Sequence, residues 1–595
     1  MEEMKSVLKD LQNDSCRIRE LSDHEVETFS NIQHLQRYFP ALDVFNISDL
    51  EYSQKNIELP SKYFVHLWDS KDDKHPKIWN AFRQPIDSTT SSEPCKVFTK
   101  IVHLLNPIDM IKQRHYCPEH PLLPQSEKTW KSTLLKLHSR HNQAYVDTVA
   151  NFVMSRFREL DLLPHCVLYY GSYTGIDTNY SYNISSEFDT YRQCRWFWNG
   201  IKSLNARVTL SHSNDVEKDT RYKQFYDEIT TCPFDMDNVI HELDPFNVND
   251  NCAEKTDNDE LLSIASMESY QFEDDQYDSK SDLSNQSTDA DHSVVSDGSD
   301  GSGGSDGSDG SDVSDLSDDI DVDVCIQIPN MPVIVINQEA QEGVMDALLD
   351  EDELDNHERG TTGWEARWIA WLFQVIAALA FLQKTINFSH NDLHANNIVW
   401  RKTDKKYLYY KTQDRTIWRI PTFGKIFSII DFGRSIFRLG KHEWISDDHW
   451  PDQDAGDQYN FGPFYDPSKP KVLPNPSFDL CRLAISLING LFDEPPRKKK
   501  GKNIQILSEE GSWKVYETSS PLYNLLWSWT VDDAGRTVYE DKDGDEKYEG
   551  FELYIRIAQD VHNSIPKDQL RNPIFKSYIW DKKVPHTEKI YSLGV

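Results

Sequence analysis

Residues 390–397 read His-Asn-Asp-Leu-His-Ala-Asn-Asn, and residues 429–433 read Ile-Ile-Asp-Phe-Gly. Asp392 is followed five residues later by Asn397, and Asp431 opens an Asp-Phe-Gly turn. One carboxylate can position an attacking hydroxyl and accept its proton. An amide oxygen and a second carboxylate are hard donors that hold Mg2+ against phosphates. Either half alone is a common loop pattern. In this order, each half beside a hydrophobic strand, they predict phosphoryl transfer.

Upstream, Tyr-Phe-Val-His-Leu-Trp (63–68) and Lys-Val-Phe-Thr-Lys-Ile-Val-His-Leu-Leu (96–105) read as strands. Val146, Val149, Phe152, Val153 and Phe157 recur near helical spacing and predict one long helix over 127–161. A strand at 166–171 follows, then Pro-Val-Ile-Val-Ile-Asn (332–337), a turn at 338–343 and a short helix at 344–349. A Trp-rich helix over 363–385 leads into the His-Asn-Asp loop. Strands at 397–401, 406–411 and 416–420 come next, and a strand at 427–430 delivers Asp431. The remainder, 440–595, reads mainly helical, with 478–491 the clearest case. The expected class is α+β: a helical leader (1–60), a β-rich part (61–343) interrupted by an insertion (177–328), and a larger helical part (344–595).

The chain has 595 residues, 12% aromatics and 16 Trp, enough for a substantial core. Its net charge of −35 is unevenly spread. Residues 233–325 hold 27 Asp/Glu against two Lys, so they carry −25 and the other 502 residues only −10. With no basic field, nucleic-acid binding is not expected. The Ser-Asp-Gly repeats at 296–312 are too polar and self-repelling to repay ordering, which predicts disorder for 233–325. The tract is either a bland linker between strands or a phosphorylatable segment that attracts a basic partner.

The nine cysteines are scattered without paired spacing, as expected of reduced thiols. The opening Met-Glu-Glu-Met-Lys-Ser lacks a signal pattern. The longest apolar run, 368–382, falls short of a membrane span and is interrupted by Gln374. A soluble, intracellular, cytoplasmic protein is expected. The acidic stretch 540–546 fails as a calcium loop because Glu546 stands where glycine is needed, and a hairpin turn at 543–544 is expected instead.

Five phrases carry a resemblance: Cys-Val-Leu-Tyr-Tyr-Gly-Ser-Tyr (166–173), Ser-His-Asn-Asp-Leu-His-Ala-Asn-Asn (389–397), Ile-Asp-Phe-Gly-Arg-Ser (430–435), Asn-Pro-Ser-Phe-Asp-Leu-Cys-Arg-Leu (475–483) and Leu-Tyr-Ile-Arg-Ile-Ala (553–558). With the element order they resemble the two-lobed protein-kinase-like fold, and more narrowly the serine/threonine kinases of large cytoplasmic DNA viruses, over 95–176 and 328–580. The resemblance implies ATP and Mg2+ as cofactors and a protein substrate. Asp392 would be the catalytic carboxylate, His390 a brace for the loop, and Asn397 and Asp431 the metal ligands. Lys100 would reach the nucleotide phosphates with Asp147 as its acidic partner, and the segment holding Glu339 and Gln341 would face the adenine. Phe432 would pack under the regulatory helix, and Asp479 would anchor the loop backbone.

Four departures accompany it. The stretch at 62–72 has no glycine to cover phosphates. Asn391 stands where many protein kinases have an arginine that pairs with a phosphorylated loop, so phosphorylation-independent activity is expected. His394 stands where a lysine is usual, near the transferred group. No Ala-Pro-Glu follows the Asp-Phe-Gly, and 440–476 is instead long and rich in Asp, Pro and Tyr. Two other classes stay open. The phrase His-Asn-Asp-Leu-His-x-x-Asn also resembles small-molecule kinases of the aminoglycoside or choline type, and the missing glycines suit a pseudokinase scaffold.

Overall fold

The computed structural model describes residues 15–47, 56–87, 91–118, 120–125, 128–212, 231–232, 322–451, 453–508, 511–541, 546–548 and 550–595. The expected disordered tract at 233–325, apart from its last four residues, and the expected turn at 543–544 lie outside them. The chain is mixed α+β and forms two compact units. The first comprises Met1–Asn183, Cys194–Val208 and Ile326–Val595; the second comprises Ile184–Gln193 and Thr209–Cys325. The described part of the second includes a short helix, Phe188–Arg192, and a bond from Val324 N to Ser185 Oγ at 2.9 Å.

The first unit contains an antiparallel sheet of six strands. They are β1 (Ile32–Gln36), β2 (Tyr63–Lys71), β3 (Ile78–Pro85), β4 (Glu93–His103), β5 (Tyr169–Asp177) and β6 (Met331–Glu339), in the spatial order β1-β5-β6-β4-β3-β2. β6 is buried along all but its last residue and opens on a continuous apolar run because both of its faces are covered. Its register sets Ile336 opposite Lys100 and Gln338 opposite Phe98. Side chains alternate with period two, so Lys100 and Gln338 share one sheet face.

The leader departs from expectation. Its described part holds one six-residue helix, Asp23–Thr28, and β1 extends the sheet edge. Arg37, fully buried, pairs with Glu25 and Glu58 at 2.7 Å each. Gly171 lies within reach of the last pair at φ +124, a conformation an L side chain would strain to adopt.

The single helix expected over 127–161 is two: Lys131–His138 and α1 (Gln143–Glu159). Asn142 causes the break. Its Oδ1 accepts from Ala144 N at 3.1 Å and its Nδ2 donates to Leu104 O at 2.8 Å, so it caps α1 and pins that end to the strand region. The region 178–212, assigned to the insertion, also holds regular elements, including Tyr180–Asn183 and Arg195–Leu204.

α2 (Thr362–Ile386) is long and apolar enough to cross a membrane, but 83% of its most apolar window is buried within the protein. Trp364, Trp368 and Trp371 pack in series along it. Gln374 exchanges bonds with Lys425 O and Phe427 N, both at 3.2 Å, which explains a polar residue mid-run. Past 440 the structure is less helical than expected. Hairpins form at Ile436–Leu439/His442–Ile445 and Lys498–Ser508/Gly511–Thr518, beside helices α3 (Phe478–Leu491) and α4 (Glu552–Asp560).

Candidate active site

Two short strands, β7 (Ile398–Lys402) and β8 (Lys425–Ile429), pair with Ile398 opposite Ile429. This ladder puts Asn397 and Asp431 at one end, and Ile430 N donates to Asn397 O at 3.0 Å. Residues 34 positions apart in sequence thereby become neighbours. Asp431 holds φ +66, a left-handed conformation that costs free energy for a non-glycine residue and is kept only where surroundings enforce it.

The loop backbone is fixed from beneath. Asp479, in the first turn of α3, accepts from His390 N at 3.0 Å and Asn391 N at 3.0 Å. His390 bridges outward: its Nε2 lies 2.9 Å from Ile430 O, and its Nδ1 accepts from Asp392 N at 3.3 Å. Beside a carbonyl oxygen Nε2 is the donor, and beside a backbone N–H Nδ1 is the acceptor. Asn391, at φ +64, donates to Arg434 O at 3.0 Å and accepts from Tyr459 Oη at 2.7 Å. It is an uncharged hub between the loop and the residue after the Asp-Phe-Gly.

Asp392 is a partly exposed carboxylate with two partners. Tyr554 of α4 donates to Oδ1 at 2.7 Å, and Arg434 Nη1 stands 3.9 Å from Oδ2. Asn397 turns its Nδ2 to Asp392 O at 2.9 Å and to His394 Nε2 at 3.1 Å. Burial holds the His394 imidazole below its ordinary range, outweighing the pull of Asp392, so Nε2 acts as an acceptor. With its nitrogen engaged, Asn397 has Oδ1 left as a donor to a cation.

Lys100 links the sheet to both neighbouring elements. Its ammonium lies 2.7 Å from Asp147 Oδ2 on α1 and 2.8 Å from Asp431 Oδ1. Burial opposes the charge, but the two carboxylates hold the ammonium above its ordinary range. Asp147 is almost fully buried and has further partners: Oδ1 accepts from Phe432 N at 2.9 Å and from Asn151 Nδ2 at 2.9 Å. Burial raises the Asp147 carboxyl despite Lys100. For Asp431, whose side chain is 47% exposed, Lys100 overrides the burial effect and keeps the carboxyl below its ordinary range.

Glu339 and Gln341 sit apart from this cluster in their bonding. Glu339 pairs with Arg158 of α1, Arg158 Nη2 donating to Oε1 at 3.0 Å, and Gln341 Nε2 donates to Glu339 Oε2 at 2.9 Å. Together they strap the end of β6 to α1. Gln338 Oε1 and Gln341 Oε1, however, are buried acceptors with no partner. Gln338 shares the face of Lys100, and an amine-bearing base is a group that would satisfy such acceptors.

Among the described residues no three His, Cys, Asp or Glu side chains form a metal cage. Mg2+ does not need one, because it ordinarily takes one or two protein oxygens and completes its octahedron with phosphates and water. Asn397 Oδ1 and the ionised, half-exposed Asp431 fit that donor set.

Sequence patterns picked out His390, Asp392, His394, Asn397 and Asp431 in one neighbourhood, and the structure also brings Lys100 and Asp147 to it. Tyr554 and Arg434 were missed as site residues, although they lie in 553–558 and 430–435, two of the stretches that carry the resemblance; only the fold reveals what they touch. No protein-family model matches the chain. Over 61 residues it is 39% identical to the mouse (Mus musculus) serine/threonine-protein kinase haspin, a stretch covering 10% of this chain and 8% of that relative's length. The chain is thus similar, over a short segment, to a serine/threonine kinase.

Proposed function

We propose that this chain is an ATP- and Mg2+-dependent protein kinase with the two-lobed fold of that class, transferring the γ-phosphoryl group to Ser/Thr hydroxyls. One observation carries the reading. The Lys100 ammonium bridges Asp147 and Asp431 at 2.7 and 2.8 Å, and Asp431 stands at the same ladder end as Asn397. A cation so held is preorganised for phosphate oxygens and needs no rearrangement to meet them. The short likeness to haspin supports the same class. The loop wording supports a viral kinase working in a host cytoplasm or virion.

Bound Mg·ATP would supply the electrophilic phosphoryl group and neutralise its oxygens. Asn397 Oδ1 and Asp431 would be the protein donors to the metal, and Lys100 the contact to phosphate. Gln338 and Gln341 offer acceptors to the base, while Glu339 orients Gln341. Asp392 orients the attacking hydroxyl and takes its proton at Oδ2, since Oδ1 already accepts from Tyr554. His390 keeps the loop backbone in place, and His394 holds the Asn397 amide. The acidic tract at 233–325 suits a partner with a basic patch.

The test is direct. The purified chain is incubated with labelled ATP and Mg2+ against casein, choline and an aminoglycoside in parallel, with Asp392→Asn as control. Label on casein that disappears in the variant supports the reading. Label confined to a small molecule assigns the chain to the aminoglycoside or choline type. If nothing is labelled and ATP binding is unaffected by Asp431→Asn, the scaffold reading replaces both.

A further inference from the structure

Arg434 follows the Asp-Phe-Gly directly and lies between two carboxylates. Its Nη1 stands 3.9 Å from Asp392 Oδ2, and its Nε stands 3.5 Å from Asp448 Oδ2. The rings of Phe551 and Tyr554 flank the guanidinium at 5.7 and 5.9 Å. Its carbonyl is bonded to Asn391 Nδ2 at 3.0 Å and to His449 Nε2 at 3.0 Å. The cation is therefore fixed at its backbone and at its tip.

Asp447 and Asp448 open a buried 3-10 turn, Asp447–His449. Asp447 Oδ1 accepts from Gln143 N, the first residue of α1, at 3.0 Å, and its Oδ2 pairs with Lys136 at 2.7 Å. The Gln143 amide, oriented as its neighbours require, donates to both Asp448 oxygens at 3.1 Å and accepts from His103 Nε2 at 3.1 Å. Two adjacent carboxylates thus touch the start of the helix that carries Asp147 and the cation that faces Asp392. A phosphate on the segment after Asp-Phe-Gly can supply such charge through a loop arginine. Here the loop has Asn391 instead.

We propose that Arg434 is a positioning residue for Asp392, held off that carboxylate by Asp448, and that Asp447 and Asp448 are the built-in carboxyl groups that order this site without phosphorylation. The proposal rests on the phosphotransferase reading above. Of the two carboxylates within 4 Å of the guanidinium, losing Asp448 leaves Asp392, with the charge of Asp454 acting beside it, and closing that 3.9 Å gap would mask the proton acceptor. Burial raises the Asp448 carboxyl to about 7, Arg434 and Lys136 opposing the rise and Asp447 and Asp454 adding to it. Protonation near neutrality would release Arg434.

The experiment uses the full chain with Mg·ATP and casein, comparing wild type, Arg434→Met, Arg434→Lys and Asp448→Asn. Misplacing a catalytic group by about an ångström costs about a hundredfold, so Arg434→Met should lower kcat by that factor with KM for ATP unchanged. Arg434→Lys should recover part of it. Wild-type kcat should fall as pH drops through about 7, whereas Asp448→Asn should be slow at every pH. The raised carboxyl works against folding once ionised, so Asp448→Asn should also melt higher at pH 8. Phosphatase treatment should leave the wild-type rate unchanged.

Full kcat in Arg434→Met, an intact pH limb in Asp448→Asn, or a rate lost to phosphatase overturns the proposal. If Arg434→Met does not fold, Asp448→Asn decides alone. A wild-type chain that transfers nothing overturns the phosphotransferase reading itself, a failure distinguishable from these.

Discussion

Tyr554 reaches Asp392 across 162 residues of sequence and donates its hydroxyl to Oδ1 at 2.7 Å. Arg482 Nε donates to the same hydroxyl oxygen at 2.9 Å. Burial, with the Asp392 charge beside it, pushes the Tyr554 hydroxyl above its ordinary range, so it keeps its proton and remains the donor. One oxygen of Asp392 is thereby committed, and the carboxylate plane is fixed for the other. Removing the hydroxyl in Tyr554→Phe leaves the ring packed against Phe478 and Phe551. A hydrogen bond to a charged group is worth about 1.5–3 kcal/mol, so kcat should fall roughly ten- to hundredfold. Steady-state kinetics check this, and melting curves should show a modest decrease, since the same substitution also takes the acceptor from Arg482 Nε.

Lys100 and Asp147 make a second prediction. In Asp147→Asn the ammonium keeps only Asp431, and it neutralises the carboxylate assigned to the metal. Both phosphate contact and metal binding should suffer. Losing a preorganised charged contact costs about 10²–10³ in rate, and kcat/KM for ATP should fall by that order. A fluorescent ATP analogue provides the binding measurement. Unchanged analogue affinity in both Asp147→Asn and Lys100→Met would remove Lys100 from the nucleotide site.

The sequence signalled parts of this site unequally, for physical reasons. The gathering of Asp392, Asn397 and Asp431 in one neighbourhood was legible because it depends on short spacings and on two flanking strands whose apolar pattern is plain. Lys100 and Asp147 were legible only through element order, since a strand lysine and a helix aspartate have no local mark. Tyr554 and Arg434 were illegible because their partners are set by how α4 and the 446–449 turn approach the loop. The break at Asn142 was signalled by Ser139 and Asn142, both side-chain cappers, but the apolar spacing on either side of it masked the signal. The leader's β1 is too short for period-two alternation to be separable from helix.

Arg37 predicts a stability effect remote from the chemistry. It is fully buried between Glu25 and Glu58. Arg37→Ala would leave these two buried carboxylates the more exposed Arg17 and Arg19 as ion-pair partners, so the loss should lie at or below the lower end for a buried pair. Breaking a buried pair from one side typically costs about 3–5 kcal/mol. The acid limb has a definite sign. Burial works against the Glu25 charge, but Arg37 and Arg19 hold its carboxyl below 4.5. A depressed carboxyl stabilises the fold fully above about pH 4.5 and loses that contribution as pH falls through the folded value. Melting temperature against pH should show this fall in wild type and a shallower one in Arg37→Ala.

The pairing of Asn397 with Asp431 predicts a metal dependence that binding alone can read. A ligand that binds only the folded chain stabilises it by RT ln(1 + [L]/Kd), about 2.7 kcal/mol at a hundredfold excess. ATP with Mg2+ should therefore raise the wild-type melting temperature more than ATP with EDTA. Asp431→Asn removes the carboxylate donor and frees Lys100 from one of its two partners. Asn397→Ala removes the amide oxygen and also the bond to Asp392 O. Each variant should lose the Mg2+-dependent increment while keeping some response to ATP through Lys100. An increment that persists undiminished in both variants would place the metal on other residues.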